Sequence, residues 1–91
     1  MDAAARHLPR TETERVVLDL WSAILEIDRV GVDDDFLDLG GDSFKAMRCI
    51  NSLKATFGVE LSLDVFFAEP ASIAAVAAEL DRMRSETVEP R

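Results

Sequence analysis

A serine hydroxyl that follows two glycines and an aspartate, at the head of a helical pattern, can act in three ways. It can be a nucleophile, a helix cap, or the acceptor of a group that another protein transfers. That arrangement here is Gly40-Gly41-Asp42-Ser43. Adjacent glycines permit backbone angles closed to other residues and remove side-chain bulk, so a large partner can approach the hydroxyl. Asp42 or Ser43 can cap the first free amides of the helix. A nucleophile needs a base, and the only histidine, His7, stands ahead of the first helix. Ser43 therefore reads as a substrate of another protein's chemistry. An anion esterified to it would lie at the positive end of a helix, favoured by roughly 0.3–1 kcal/mol when exposed.

The element that must present Ser43 is itself a helix. Ala46, Ile50, Leu53 and Phe57 recur at i, i+4, i+7 and i+11, the one-sided stripe of a helix packed on a core, and Gly58 follows as a C-cap. On a wheel of about 100° per residue, Phe44 lies roughly 130° from the centre of that stripe and Met47 roughly 65°. Phe44 is thus a surplus apolar group, either covered by a neighbouring loop or a partner contact beside the serine. Cys49 lies roughly 100° from the centre, partly exposed on this reading, and is a small helix residue rather than a reactive thiol.

Other elements hold that helix in place. Thr11-Glu12-Thr13-Glu14 is a capping-box pattern, and Val17, Leu20, Trp21, Ile24 and Leu25 then share one core-facing side. A long connection to Asp42 carries Ile27, Val30, Val32, Phe36, Leu37 and Leu39 among its acids, a spacing that predicts an anchored loop. The acids lack the DxDxDG spacing and terminal glutamate of a calcium-binding EF-hand, so they read as a solvated acidic loop. After Gly58, Val59-Glu60-Leu61 is extended, and Ser62 caps a short helix from Leu63 to Phe67 that stops before Pro70. Phe66 and Phe67 cannot both face the core from one turn. Ser72 caps a last helix striped by Ile73, Val76, Ala77, Leu80 and Met83.

Composition bounds the function. With 91 residues and 48% hydrophobic content the chain can build one small core, which leaves no interior for a deep active site. A net charge of −8 argues against nucleic acid, whose phosphates need a dense basic patch. A single cysteine permits no internal disulfide, and no apolar run approaches the ~20 residues of a membrane span. These features predict a cytoplasmic, monomeric protein that binds neither membrane nor metal. Residues 1–10 read as a flexible lead-in, 11–84 as the domain and 85–91 as a flexible tail.

Leu39-Gly40-Gly41-Asp42-Ser43, preceded by Asp35-Phe36-Leu37 and followed by an amphipathic helix, resembles the attachment site of the carrier (thiolation) domains of nonribosomal peptide synthetases. The likeness covers about residues 12 to 82, because Val65-Phe66-Phe67-Ala68-Glu69-Pro70-Ala71-Ser72-Ile73-Ala74 is similar to the family's passage between its third and fourth helices. It implies that Ser43 is esterified with 4′-phosphopantetheine, taken from coenzyme A by a phosphopantetheinyl transferase, with Gly41 and Asp42 beside it. An adenylating enzyme would load an amino or aryl acid on the arm as a thioester, for condensation, thioesterase or tailoring enzymes downstream. Phe44, Met47, Lys45 and Arg48, with the exposed member of Phe66 and Phe67, would form the partner surface. The chain itself would catalyse nothing. Fatty-acid-type carriers resemble one another in an acidic second helix. Here that helix carries Lys45, Arg48 and Lys54 and no acid from Ser43 to Phe57, which favours the peptidyl type, although Phe44 replaces the usual leucine or isoleucine and Asp42 a frequent histidine.

Alternative readings use the same residues. An acyl carrier of polyketide or fatty-acid type would share the site, and a non-catalytic helical interaction module would need the Gly-Gly-Asp-Ser turn only as a cap. Gly41-Asp42-Ser43-Phe44 imitates a GDSL-type esterase signature. That reading fails for want of an Asp-x-x-His pair, and GxSxG fails because position 45 is lysine. The expected fold is all-α: a small acyl-carrier-like bundle of three main helices and one short helix, with a long first loop delivering Ser43 to the top of the second.

Overall fold

The computed structural model describes residues 8–87; the expected lead-in at 1–7, with His7, and the last residues 88–91 lie outside them. The chain forms α1 (Glu12–Leu25), α2 (Ser43–Phe57), a short 3-10 helix (Leu63–Phe66) and α3 (Ile73–Thr87), with no strand among the described residues. This is the expected all-α bundle.

Local chemistry starts each helix where the sequence signals it. Thr11 Oγ1 accepts from the Glu14 amide at 3.0 Å, and the Glu14 carboxylate reaches back to the Arg10 amide at 2.7 Å. The return arm of the capping box thus lands one residue ahead of the cap itself. Ser62 Oγ accepts from the Asp64 amide and Ser72 Oγ from the Ala75 amide, so both expected serine caps form. At its other end α1 closes on Glu26 in the left-handed conformation (φ 58°), a non-glycine cap that no residue type announces. α3 continues through Thr87, past the boundary expected at Arg84. Its last turn is held where the Arg84 guanidinium lies 4.7 Å from the centre of the Phe57 ring.

α1 packs against both α2 and α3, and the 3-10 helix packs against α2. Thr13 Oγ1 donates to Asp81 Oδ1 at 2.7 Å, pinning the start of α1 to the later turns of α3. The stripes interleave as the spacing predicts: Val17, Trp21, Ile24 and Leu25 meet Ala46, Ile50 and Leu53, and Ile73, Val76, Ala77 and Leu80, all buried. Leu20, Phe57 and Met83 pack at the edge of this core. At the centre the Phe36 ring lies edge-on to Trp21 at 4.9 Å and to Phe66 at 5.0 Å, separations at which aromatic edges and faces attract. The Trp21 indole N–H meets no acceptor among the described residues, so its contribution comes from packing and ring contacts.

Cys49 is fully buried, which corrects the expectation of partial exposure. α2 is covered by α1 and by the 3-10 helix at once, so its buried arc is wider than the single stripe on the wheel. Burial pushes the thiol from 9.0 up to about 12, against a smaller opposing pull from the Arg48 charge. The folded protein therefore holds Cys49 as the neutral thiol, while the unfolded chain ionises it above its ordinary value. Stability from this group is intact below pH 9.0 and is lost as pH rises toward 12. In native buffer at pH 8 a thiol reagent should leave Cys49 untouched and should titrate it fully in guanidinium chloride. Rapid modification of the folded protein would contradict this burial.

Candidate functional site

The loop from Glu26 to Asp42 determines where Ser43 sits, and its residues divide by role. Val32 and Phe36 are fully buried, and Ile27, Val30 and Leu39 pack against the core, as the anchored-loop reading requires. Leu37 departs from it, with 44% of its surface exposed. Phe36 turns inward and its neighbour in the same tight turn must turn out.

The acids of this loop are not merely solvated. Asp34 Oδ2 accepts from the Gly31 amide at 2.9 Å. Asp35 does more: Oδ2 accepts from the Leu37 amide at 3.1 Å and Oδ1 from the distant Ala71 amide at 2.9 Å. The Phe36 amide returns a bond to the Ala71 carbonyl at 2.8 Å, and the Ala74 amide donates to the Val32 carbonyl at 3.0 Å. The loop is thereby stitched to the start of α3. In the sequence Asp35 is one acid among several; the available signal is aspartate's habit of binding amides two residues ahead.

From Phe36 to Ser43 the chain makes a compact double turn. The Gly40 amide donates to the Leu37 carbonyl and the Gly41 amide to the Phe36 carbonyl, at 3.1 and 3.0 Å. The two glycines serve different needs. Gly40 has φ +96°, a left-handed angle that disfavours any side chain. Gly41 lies against the buried Phe36 ring, and a Cβ there would fall 2.7 Å from Cζ and closer still to Cε2. The bulk missing at Gly41 thus makes room for the core and not, as the sequence suggested, for an approaching partner.

Asp42 is the N-cap of α2, its Oδ1 accepting from the Lys45 amide at 2.9 Å, which settles the choice between Asp42 and Ser43. Ser43 is freed by this arrangement. It is exposed, heads the helix, and sits beside first-turn amides that have no intrahelical acceptor. Lys45 folds back so that Nζ donates to the Gly40 carbonyl at 3.3 Å, while Arg48 is exposed. No acid occupies the first turn of α2. No histidine lies among the described residues, so nothing there can activate the hydroxyl as a histidine base would.

Around Ser43 the expected apolar surface forms in part. Phe44 is 73% exposed and Met47 44%, so Phe44 is not covered by a neighbouring loop. Of the adjacent phenylalanines, Phe67 is 42% exposed and Phe66 is completely buried, which removes Phe66 from the partner surface. The reason is the Phe36 ring, which holds Phe66 on one side and Gly41 on another. This shared contact brings the end of the 3-10 helix to the Ser43 end of α2. A phosphodiester on Ser43 would find room, free amides and the favourable end of a helix dipole, so the residues present fit such a group.

Known proteins resemble this chain in sequence and in fold. The phosphopantetheine attachment site family matches residues 15–80. A dimodular nonribosomal peptide synthase of Bacillus subtilis (strain 168) is 40% identical over 77 residues, which are 85% of this chain and 3% of that protein. Tyrocidine synthase 3 of Brevibacillus parabrevis is 37% identical over 83 residues, 89% of this chain and 1% of its own length. The chain therefore spans only a few per cent of these curated relatives. Among solved structures, a peptidyl carrier protein in complex with the phosphopantetheine transferase Sfp and coenzyme A superposes with a TM-score of 0.77 at 28% identity, covering 81% of this chain and 95% of that one. With the fold, the exposed Ser43 and a matched family profile in agreement, the chain belongs to the phosphopantetheine attachment site family, as a carrier domain of the peptidyl type.

Proposed function

We propose that Ser43 is the residue that bears 4′-phosphopantetheine, and that the domain carries an aminoacyl, aryl or peptidyl group in nonribosomal peptide or related biosynthesis. The observation that carries this reading is an exposed serine at the head of α2 whose capping duty has been taken by Asp42. In the transfer from coenzyme A, the Ser43 oxygen forms a bond to phosphorus as the bond to the nucleotide half breaks. The hydroxyl proton leaves to a base on the transferase, because this domain supplies none. When bound, the arm contributes a terminal thiol on a flexible tether. The chain contributes an attachment oxygen, amides that favour the phosphate, and a docking surface, with no catalysis of its own.

Phe44, Met47 and Phe67 are the apolar contacts of that surface, with Leu37 added by its exposure, and Lys45 and Arg48 are the basic residues in the first two turns of α2. The partners that fit are a phosphopantetheinyl transferase, an adenylating enzyme and downstream condensation, thioesterase or tailoring enzymes. One solved relative is a peptidyl carrier bound to a transferase, and another is an adenylation and carrier pair complexed with phenylalanyl-adenylate. The domain proper runs from 11 to 87 in this reading, because α3 continues through Thr87 past the expected boundary at 84, and it works as a monomer in the cytoplasm. Alanine at both Phe44 and Met47 should raise the transferase KM for the carrier by about tenfold, since buried aromatic anchors dominate such interfaces. Unchanged steady-state constants with the transferase and with an adenylating enzyme would remove these residues from the surface.

A further inference from the structure

The exposed stretch from Phe67 to Pro70 is anchored at both of its ends. At one end the Phe66 ring rests on Phe36, and at the other Ala71 is tied to the loop ahead of Ser43. We propose that Asp35 is a positioning residue: its carboxylate, bridging that loop to the Ala71 amide, fixes the spacing between Ser43 and Phe67 that a docking partner reads. This rests on the docking role given above to Phe67.

The connection can be followed bond by bond. The Ala71 amide donates to Asp35 Oδ1 at 2.9 Å, and the Leu37 amide to Oδ2 at 3.1 Å. Phe36, the next residue, donates to the Ala71 carbonyl at 2.8 Å, and its own carbonyl accepts from Gly41 at 3.0 Å, ahead of Asp42 and Ser43. A carboxylate suits the post because both of its oxygens accept at once. An asparagine offers one accepting oxygen and sets an N–H against the second amide. Without the carboxylate, the Phe36–Ala71 bond and the aromatic packing still hold the fold together, while the register between the two exposed contacts loosens. A partner that must touch Ser43 and Phe67 together finds the matching register populated for a smaller fraction of the time, so it binds such a domain more weakly.

The test is steady-state phosphopantetheinylation of the full apo chain by a broad-specificity transferase, with the carrier as the varied substrate. Asp35→Asn should raise KM about fivefold and change kcat less than twofold. Phe67→Ala should give a similar rise, and the double variant should be no worse than Phe67→Ala alone, because the spacing no longer matters once one contact is gone. Native KM for Asp35→Asn, a loss expressed mainly in kcat, or losses that add fully in the double variant would each overturn the proposal. A neutral Phe67→Ala would instead sink the docking role on which it rests, whatever Asp35→Asn does. If Asp35→Asn loses its helical circular dichroism, Asp35→Ser is scored in its place. Unfolding of both variants makes Asp35 a stability residue and also overturns the proposal.

Discussion

Ser43→Ala should leave the fold intact and abolish modification by a transferase. These outcomes are separable because Asp42, and not Ser43, satisfies the Lys45 amide. The serine side chain is exposed, so its replacement should alter stability by no more than about 0.5 kcal/mol, the usual range for such surface changes. The chemical loss is complete because no neighbouring hydroxyl occupies the same place: Asp42 precedes it and Phe44 follows. Asp42→Ala gives the opposite pattern. It removes the cap at a cost of about 1 kcal/mol while the accepting oxygen remains. Thermal unfolding and intact mass, measured on both variants, distinguish the two roles. A strongly destabilised Ser43→Ala would mean that the serine is part of the cap after all.

Phe36→Ala should be the most destabilising single truncation near the site. The ring is fully buried, touches Trp21 and Phe66, and fills the space that Gly41 leaves open. Truncating a buried phenylalanine costs about 3–5 kcal/mol, against a total of roughly 5–15 kcal/mol for a native domain. A chain of this size should lose at least about 12 °C in melting temperature. Because Phe36 also seats the turn that ends at Ser43, residual folded protein should be a poorer transferase substrate. Denaturant titration would show a lower midpoint; a loss below about 1 kcal/mol would mean that the loop is not anchored through this ring.

Much of this architecture is written in local pattern. The stripes of α1, α2 and α3 repeat within a few residues, and Thr11, Asp42, Ser62 and Ser72 act on amides two or three residues away, so composition and spacing suffice to find them. Long-range contacts are a different matter. Which of Phe66 and Phe67 turns inward depends on Phe36, far away in sequence, and the burial of Cys49 depends on two elements closing over α2 at once. Leu37 faces out because Phe36 faces in. Asp35 meets Ala71 across 36 positions, a pairing that no periodicity records. The Gly-Gly pair was legible as a turn, but the ring occupying the space beside Gly41 was not.

The central claim is that this domain is a carrier armed at Ser43, and intact mass after incubation with coenzyme A, magnesium and a broad-specificity phosphopantetheinyl transferase tests it most directly. The native chain should gain the mass of one phosphopantetheine and Ser43→Ala should gain none. No gain by a native sample that shows helical circular dichroism, beside a control carrier that is modified, would contradict the claim and leave a helical interaction module in its place.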